Sequence, residues 1–237
     1  HAYVRRQRQM CIRDRNYNQT LSRVETYFDK TALKTWEHLT STAPVSKIRQ
    51  SVRRGRDDMR IKLISQLPKN LSGARVLDAG CGTGQLSEEL ALRGCQVVAA
   101  DISPSLIQVA RSRIPTHLQK NIDFVAGDMV SPELGNFDYV IAMDSLIYYN
   151  RTDLGSLLIE LSSRTSQSIY FTIAPKTMLL MLMWYVGKLA PSGDRSPVMV
   201  PHSFKSICKE LGTKLELTDL GIVNSGFYIS HAIGCRK

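Results

Sequence analysis

Short apolar runs separated by helical patterns fill the middle of the chain. Each run is rich in valine, isoleucine, alanine or phenylalanine, which is typical of strands that are buried on both faces. Helical spacing follows the first two runs, and this alternation predicts an α/β fold built on a parallel sheet. The four runs lie at residues 74–77, 96–100, 122–125 and 137–143.

The second half of the chain completes the predicted sheet. A helix leads to a fifth strand, and a later helix precedes two more strands that form a hairpin-like edge. We therefore predict a Rossmann-like sheet of seven mostly parallel strands, with an antiparallel last strand and helices on both faces. These elements are the helices at 153–164 and 201–211, the strands at 168–173, 214–220 and 227–235, and a connection through 221–226.

Two helical patterns precede the first strand. Apolar positions recur at helical spacing over residues 20–39, and a second pattern over residues 45–67 is dense in arginine and lysine. The basic run is either a solvated helix face or a surface on which a few arginines, Arg56 among them, face an acidic substrate. We predict a helical arm over residues 16–70 and a cofactor-binding domain over residues 71–237.

A glycine-rich turn follows the first predicted strand and opens a helix. Glycine permits positive φ and lets a ligand approach the backbone, and the N–H groups of the following helix face that ligand. The turn therefore predicts a site for the polar part of a nucleotide-like cofactor. The spacing of its glycines differs from the G-x-G-x-x-G pattern of dinucleotide-binding folds. The predicted cofactor residues of the turn are Asp78, Gly80, Gly82 and Gly84.

Acidic residues follow three further strands. Asp101 ends the second strand, where a carboxylate accepts hydrogen bonds from both hydroxyls of a ribose. Asp128 and Asp144 follow the third and fourth strands. The carboxyl ends of parallel strands meet at one edge of an open sheet, so we predict that these acids line one crevice. Neighbouring apolar residues are predicted to contact the cofactor as well, namely Ile102, Met129 and Met143.

Composition agrees with a single intracellular enzyme domain. The chain has 237 residues, and its five cysteines show neither metal-ligand pairing nor a disulfide framework, which favours a reducing cytoplasm. We predict no protein metal site. Part of the net charge of +10 lies in residues 1–15, which look like translated adapter sequence and are predicted to be a tail outside the fold. The alternative for this tail is a basic arm that binds nucleic acid or anionic lipid.

An apolar segment follows the fifth strand, within an insertion predicted over residues 175–200. Its nearly unbroken apolar run, residues 178–187, is too short to span a bilayer, which needs about 20 residues. The run is plain core, a membrane-surface contact, or a deformable surface for a large flat apolar ligand. Flanking cations suggest anionic arms on that ligand. The candidate substrate-binding residues are Met181, Trp184, Lys176, Arg195 and, from the arm, Arg56.

The glycine-rich turn and its acid resemble motif I of the class I S-adenosylmethionine-dependent methyltransferases. Other strings are similar to the magnesium-protoporphyrin IX O-methyltransferases, and among them residues 174–177, Ala-Pro-Lys-Thr, are more diagnostic than motif I. The string Leu-Thr-Ser-Thr-Ala-Pro-Val-Ser at residues 39–46 looks closest to the bacteriochlorophyll-making branch. The remaining similar strings lie at 27–32, 39–49, 54–57 and 143–147.

This resemblance implies a reaction and its partners. S-adenosylmethionine is expected to donate a methyl group to a propionate carboxylate of magnesium protoporphyrin IX, with magnesium present only as part of that substrate. Asp128 is expected near the adenine. The implied partners are the porphyrin, the porphyrin-binding subunit of magnesium chelatase and the surface of the photosynthetic membrane, without nucleic acid. The alternatives are an O- or C-methyltransferase of another amphipathic small molecule, such as a quinone precursor, and a non-catalytic porphyrin carrier.

One position departs from the pattern of this family. The family places a histidine after Asp-Ser-Leu-Ile, whereas this chain has Tyr148. A phenol is a poor base near neutral pH, because its reference pKa is about 10. A carboxylate acceptor, with a reference pKa of about 4, needs no general base, so Tyr148 is predicted to position the substrate. Asp144 is the second candidate catalytic residue. Tyr27 is expected to cover the cofactor, and Thr40 takes the place of a tyrosine of the oxygenic branch.

Overall fold

The computed structural model describes residues 17–33, 39–40, 46–176, 199–212 and 214–237. These residues contain a seven-stranded sheet. Its strands are β1 (Arg75–Ala79), β2 (Gln96–Asp101), β3 (Ile122–Ala126), β4 (Phe137–Ala142), β5 (Thr165–Ile173), β6 (Glu216–Ser225) and β7 (Tyr228–Arg236). Their order is β3-β2-β1-β4-β5-β7-β6, and β7 runs antiparallel to both β5 and β6 while the other pairs are parallel. The predicted architecture is confirmed.

Several helices begin at a side chain that caps the first turn. The side chains of Ser103, Asn150 and Ser203 each accept a hydrogen bond from a backbone N–H three residues later, which satisfies one of the unpaired donors of a helix start. Pro104 follows the first of these caps at the first helical position. The helices are α1 (Lys47–Ile64), α2 (Gln85–Leu92), α3 (Pro104–Arg113), α4 (Thr116–Gln119), α5 (Arg151–Ser163) and α6 (Phe204–Leu211).

The sheet is covered on both faces, because neighbouring strand residues point in opposite directions. Val76 packs with the apolar sides of α1, α2 and α3, whereas the adjacent Leu77 packs with α5 and α6 on the other face. Both side chains are fully buried. This two-sided burial explains why the sequence shows continuous apolar runs in place of a polar alternation.

The order of the strands locates the cleft. From β1 the chain continues to β2 and β3 on one side, and then returns to place β4 on the other side of β1. Ligands bind outside the carboxyl ends of the strands at such a reversal point. The residues that follow β1, β2, β3 and β4 therefore surround one space.

The last hairpin differs from its prediction. Residues 221–225, predicted as a connection, belong to β6, and only Gly226 and Phe227 join β6 to β7. Gly221 has a φ of 88° and lies at a register shift between Asp219 and Gly221. This glycine serves a β-bulge inside the strand, at a positive φ that other residues rarely adopt.

The N-terminal arm lies against the cleft side of the sheet. Residues 17–26 form an α-helix that continues as a π-helix over Tyr27–Ala32, so the predicted helix is confirmed for the described part. Val24 and Phe28 pack on Leu106 of α3. Asp29 accepts hydrogen bonds from Ser103 Oγ at 2.5 Å and from the N–H of Ser105 at 3.2 Å, which ties the arm to the start of α3. The predicted tail, residues 1–15, lies outside the described residues.

Candidate active site at the strand ends

The glycine-rich turn brings the backbone to the floor of the cleft. Gly80, Gly82 and Gly84 have φ angles of 84°, 55° and 83°, a region that favours glycine. A Cβ on Gly80 would collide with the side chain of Ser145, which follows β4. A Cβ on Gly84 would lie 2.9 Å from that of Ala110 in α3. Gly80 is thus needed where β1 meets β4, and Gly84 lets α3 pack against the turn.

Asp78 lies beneath this turn and is almost fully buried. Ser87 Oγ of α2 donates a hydrogen bond to Asp78 Oδ2 at 2.5 Å. Burial raises the pKa of Asp78 to about 7, with the Asp101 carboxylate adding to the rise and the Ser87 hydroxyl opposing it. A buried acid with a raised pKa at the edge of a cleft is typical of a functional site.

Asp101, the last residue of β2, is oriented by the turn. Its carboxylate accepts hydrogen bonds from the N–H of Gly82 at 2.8 Å and from the N–H of Ser103 at 2.9 Å. Burial raises the pKa of Asp101 to about 6, although these two backbone donors oppose the rise. Both backbone donors fix the direction of the carboxylate in the cleft. This is the arrangement that a carboxylate needs to accept hydrogen bonds from a ligand.

The end of β3 is shared between the cleft and the arm. Gly127 and Met129 line the cleft. The side chain of Asp128 instead accepts a hydrogen bond from Tyr17 Oη of the arm at 2.7 Å, and Tyr17 stacks on Tyr149 with ring centroids 5.4 Å apart. In this structure Asp128 therefore holds the arm, and its predicted contact with the cofactor stays a prediction.

Asp144 is the centre of a hydrogen-bond network at the end of β4. Arg56 of α1 forms an ion pair with its carboxylate at 2.5 Å, and Tyr228 Oη donates to both of its oxygens at 3.0 Å. Thr172 and Ser230 also donate, at 3.2 and 3.3 Å. Four elements, α1, β4, β5 and β7, are joined through this one carboxylate.

The strand ends, the arm and α1 surround an open cleft, whose empty space is about 910 Å³ when the open solvent at its mouth is included. The arm contributes an apolar wall of Leu21, Val24 and Phe28. The structure thus brings together most of the residues that sequence reasoning predicted for the site. Those that line the cleft are Asp78, Gly80, Gly82, Asp101, Ile102, Met129, Met143, Asp144, Tyr148 and Arg56.

Tyr148 lies at the junction of the cofactor residues and the network around Asp144. Burial, and then the Asp144 carboxylate, raise the pKa of Tyr148 well above its usual value. The phenol therefore stays neutral at accessible pH. Phe28 packs edge-on against Tyr148 with ring centroids 6.2 Å apart, and Tyr27 in turn packs edge-on against Phe28. Thr40 lines the cleft, and its hydroxyl accepts a hydrogen bond from Arg113 at 2.8 Å.

The predicted substrate-binding residues of the insertion are only partly described. Lys176 is exposed, and its N–H donates to the carbonyl oxygen of His202 at 3.2 Å. Met181, Trp184 and Arg195 lie outside the described residues. Within the described ranges no cluster of three metal-binding side chains is present, and no helix is long and apolar enough to cross a membrane.

Sequence reasoning missed several residues that build the site. Tyr17, Tyr228 and Ser230 come from the arm and from β7, far along the chain from the motifs that they support. His202 is buried, and its Nε2 lies 2.9 Å from the carbonyl oxygen of Tyr149. The available signal was a polar residue inside an otherwise apolar strand, as at Ser230, but that signal does not identify the partner.

The fold and the strand-end cleft define a class I methyltransferase, and the profile described as "Methyltransferase domain" matches residues 76–167. A second profile, "Magnesium-protoporphyrin IX methyltransferase C-terminus", matches residues 142–237. The magnesium-protoporphyrin O-methyltransferase of Rhodobacter capsulatus is 51% identical over 222 residues, which cover 93% of this chain and 98% of that protein. The chain belongs to the magnesium-protoporphyrin O-methyltransferase family.

More distant relatives agree with this assignment. The chloroplastic magnesium protoporphyrin IX methyltransferase of Arabidopsis thaliana is 28% identical over 216 residues, covering 89% of this chain and 69% of that protein. The crystal structure of the magnesium protoporphyrin IX methyltransferase from Synechocystis PCC 6803 with bound SAH has a TM-score of 0.75 and 27% identity. It covers 90% of this chain and 98% of that chain. The resemblance seen in the sequence is confirmed.

Proposed function

We propose that this chain transfers a methyl group from S-adenosylmethionine to a propionate carboxylate of magnesium protoporphyrin IX and forms the monomethyl ester. The observation that carries the proposal is a cleft of methyltransferase type in a chain that is 51% identical to a magnesium-protoporphyrin O-methyltransferase over almost its whole length. The C-terminal family profile begins at residue 142, and Asp144 and Tyr148, which line the cleft, lie within it.

The described residues fit S-adenosylmethionine. Asp101 offers a fixed carboxylate to the two ribose hydroxyls, and the turn from Gly80 to Gly82 leaves the backbone accessible to the amino acid part. Met129 and Met143 form apolar walls of the same cleft. When bound, S-adenosylmethionine supplies an electrophilic methyl group on a sulfonium. We propose that four further residues hold these contacting residues in place, namely Asp78, Gly84, Asp128 and Tyr27.

The reaction requires alignment and no proton transfer. A propionate with a reference pKa of about 4 is already ionised at neutral pH. Its oxygen forms the new C–O bond with its own electron pair as the C–S bond of the sulfonium breaks, so every atom and charge is accounted for without a base. Tyr148 remains a neutral donor because burial raises its pKa. Its role is to orient the carboxylate by a hydrogen bond.

Exclusion of water from the reacting carboxylate falls to the arm. Leu21, Val24 and Phe28 face the cleft, and Tyr17 and Asp29 hold the arm to β3 and α3. A carboxylate loses nucleophilicity when water molecules hydrogen-bond to it, so an apolar cover raises the rate. On the substrate side, we assign Lys176, Arg195, Met181 and Trp184 to the porphyrin and its second propionate.

Product analysis with labelled S-adenosylmethionine tests the proposal. Purified protein is incubated with magnesium protoporphyrin IX, metal-free protoporphyrin IX or a quinone precursor. We expect a base-labile monomethyl ester from the magnesium porphyrin, and no such product from the variant Asp101→Ala. Tight porphyrin binding without an ester would indicate a carrier, and methylation of the quinone precursor alone would indicate another methyltransferase.

The proposal extends to two macromolecular contacts, which rest on the family resemblance. We propose that the porphyrin-binding subunit of magnesium chelatase delivers the substrate and that the apolar insertion touches the photosynthetic membrane peripherally. Co-purification with that subunit tests the first contact. Co-sedimentation with anionic vesicles, compared with a chain in which Met181 and Trp184 are changed to serine, tests the second.

A further inference from the structure

An ion pair forms part of the wall of the cleft. Arg56 of α1 and Asp144 after β4 both line the cleft, with Arg56 Nη1 2.5 Å from Asp144 Oδ2. The side chains are 17% and 10% exposed, so the pair is shielded from water on most sides but still reaches the ligand space. An anionic group that enters the cleft beside Tyr148 would therefore contact this ion pair.

The backbone at Asp144 is held in an unfavourable conformation. Among the described residues Asp144 is the only non-glycine residue with a positive φ, at 58°. Its N–H donates to Thr172 Oγ1 at 2.8 Å, and the same hydroxyl donates back to Asp144 Oδ1 at 3.2 Å. Residues kept in such a conformation by their surroundings cluster at functional sites. The surrounding contacts therefore hold this carboxylate in one place despite the unfavourable backbone conformation.

Tyr228 contacts Asp144 and the backbone beside Arg56, and so restrains both partners of the ion pair. Its hydroxyl lies 3.0 Å from each Asp144 oxygen, while its ring packs on Gly55, the residue before Arg56, so closely that a Cβ on Gly55 would lie 2.5 Å from the ring. Burial, followed by the Asp144 charge, raises the pKa of Tyr228, so the phenol remains a neutral donor. A single side chain of β7 thus fixes α1 and Asp144 relative to each other.

The neighbouring arginine of the cleft shows a different arrangement. Arg60 pairs with Asp57 at 2.9 Å and with Glu89 at 3.2 Å, and both acids are more exposed than Asp144. Those pairs join α1 to itself and to α2. The pair of Arg56 with Asp144, by contrast, lies at the end of β4, beside the residues that we assign to the acceptor.

Methyl transfer to a carboxylate sets opposing demands on such an arginine. The acceptor must be oriented, and a guanidinium with its fork of N–H donors orients a carboxylate well. A full counter-charge would also lower the energy of the ground-state carboxylate, which loses its charge in the transition state, and so would slow the reaction. A guanidinium already paired with a fixed carboxylate orients without this penalty, because the pair carries no net charge.

We propose that Asp144, fixed by Tyr228, is a positioning residue that weakens the electrostatic attraction of Arg56 for anions. Arg56 then aligns the propionate of the porphyrin without binding it so tightly that methyl transfer slows. This inference rests on the proposed function. The hydrogen-bond network of β4, β5 and β7 thus influences the reactivity of the acceptor carboxylate as well as stabilising the fold.

Two variants that move the binding constant in opposite directions test the inference. Asp144→Asn keeps an oxygen acceptor and tolerates a positive φ, but removes the negative charge of Asp144 from beside Arg56. We expect its dissociation constant for magnesium protoporphyrin, titrated by fluorescence with S-adenosylhomocysteine present, to fall by about fivefold or more, and its single-turnover rate to fall by about tenfold. Tyr228→Phe leaves Asp144 held by Thr172 and Ser230 but removes a donor that competes with Arg56 for its oxygens. Asp144 then pairs more strongly with Arg56, so the dissociation constant should rise about threefold or more.

Controls separate this inference from a structural role and from the proposed function. Asp219→Asn removes an acid of β6 that pairs with His231 away from the cleft, and it should change neither constant. If wild-type protein turns over but Asp144→Asn and Tyr228→Phe weaken porphyrin binding alike, or leave it unchanged, the inference is wrong. If Asp144→Asn does not fold, the porphyrin affinities of the single variants Arg56→Lys and Tyr228→Phe test the inference in its place. A porphyrin affinity that is unchanged in both variants overturns the inference. A wild-type protein that forms no ester contradicts the proposed function instead.

Discussion

His202 Nε2–H donates a hydrogen bond to the carbonyl oxygen of Tyr149 at 2.9 Å. The acceptor is a carbonyl, so the proton resides on Nε2 of the ring. The backbone of His202 also joins the end of β5, because its N–H donates to Ala174 at 2.8 Å and its carbonyl accepts from Lys176 at 3.2 Å. This histidine therefore links the chain that carries Tyr148 to the start of the insertion.

Stability should depend on His202 through pH. Burial, with smaller effects of the cations Lys176 and Arg151, lowers the pKa of His202 below its usual value. The unfolded chain then binds a proton at a pH where the folded chain does not, so the contribution of His202 is present above about pH 6.5 and is lost as the pH falls. In urea unfolding, wild-type protein should lose stability relative to His202→Gln between pH 7.5 and 5.5. His117→Gln, an exposed histidine of α4, is the matched control, and an equal shift in both variants would contradict this account.

Asp78→Asn should stabilise the protein without its ligand. The folded-state pKa of Asp78 is raised to about 7, so ionisation at pH 8 costs stability, and this cost disappears as the pH falls toward about 4. We expect the variant to be more stable than wild type at pH 8 by up to about 4 kcal/mol, with a smaller difference at pH 5. Chemical denaturation at both pH values measures this. Affinity for S-adenosylmethionine should fall, as is usual when a strained site is relaxed.

Local patterns were sufficient to predict that the residues proposed for the cofactor lie together in one cleft. The turn from Asp78 to Gly84 and the acid at Asp101 are each defined by a strand and the few residues after it, and the rule that parallel strand ends converge brings them together. The predicted sheet was right for the same reason. Its one clear error, the connection at 221–225, arose because a glycine marks a bulge as readily as a loop.

The contacts among the residues that we assign to the acceptor could not be predicted in this way. Arg56 was predicted to bind the substrate, and Asp144 was predicted as a catalytic residue, but nothing in the sequence indicates that they pair with each other. Tyr228 reaches Asp144 across 84 positions of the chain. Such contacts depend on the register of β7 against β5, which the hydrophobic pattern of a strand buried on both faces does not determine.

Binding of S-adenosylmethionine should depend on the ionisation of Asp101. Its pKa is raised to about 6, and the ionised form accepts hydrogen bonds from the ribose hydroxyls more strongly than the neutral form. Affinity measured by isothermal titration calorimetry should decrease as the pH falls through about 6. Asp101→Asn should bind about tenfold or more weakly at pH 7.5, and its affinity should lose most of this pH dependence. A wild-type affinity that is constant from pH 7.5 to 5 would refute the assignment.

Tyr148→Phe distinguishes orientation from general base catalysis. The raised pKa of this phenol keeps it protonated at all accessible pH values, so it can donate a hydrogen bond but cannot remove a proton. We expect kcat to fall by less than about tenfold, whereas loss of a general base costs 100-fold or more in typical enzymes. The kcat of wild type should not rise with pH between 7 and 9. A steep rise in that range would show that a base is required after all.

Gly80→Ala should disrupt the cleft through its contact with the segment after β4. The added Cβ would collide with Ser145, whose hydroxyl donates to the carbonyl oxygen of Ala79 at 2.6 Å, and alanine is also disfavoured at a φ of 84°. We expect a loss of stability of about 2 kcal/mol and a loss of measurable affinity for S-adenosylmethionine. The second change Ser145→Gly removes the collision but leaves the unfavourable φ, so the double variant should recover part of the stability. Gly212→Ala, which has open space around it at a φ of 56°, is the control for the backbone effect alone. If Gly80→Ala costs no more than Gly212→Ala, the close approach of β1 and β4 does not require glycine at this position.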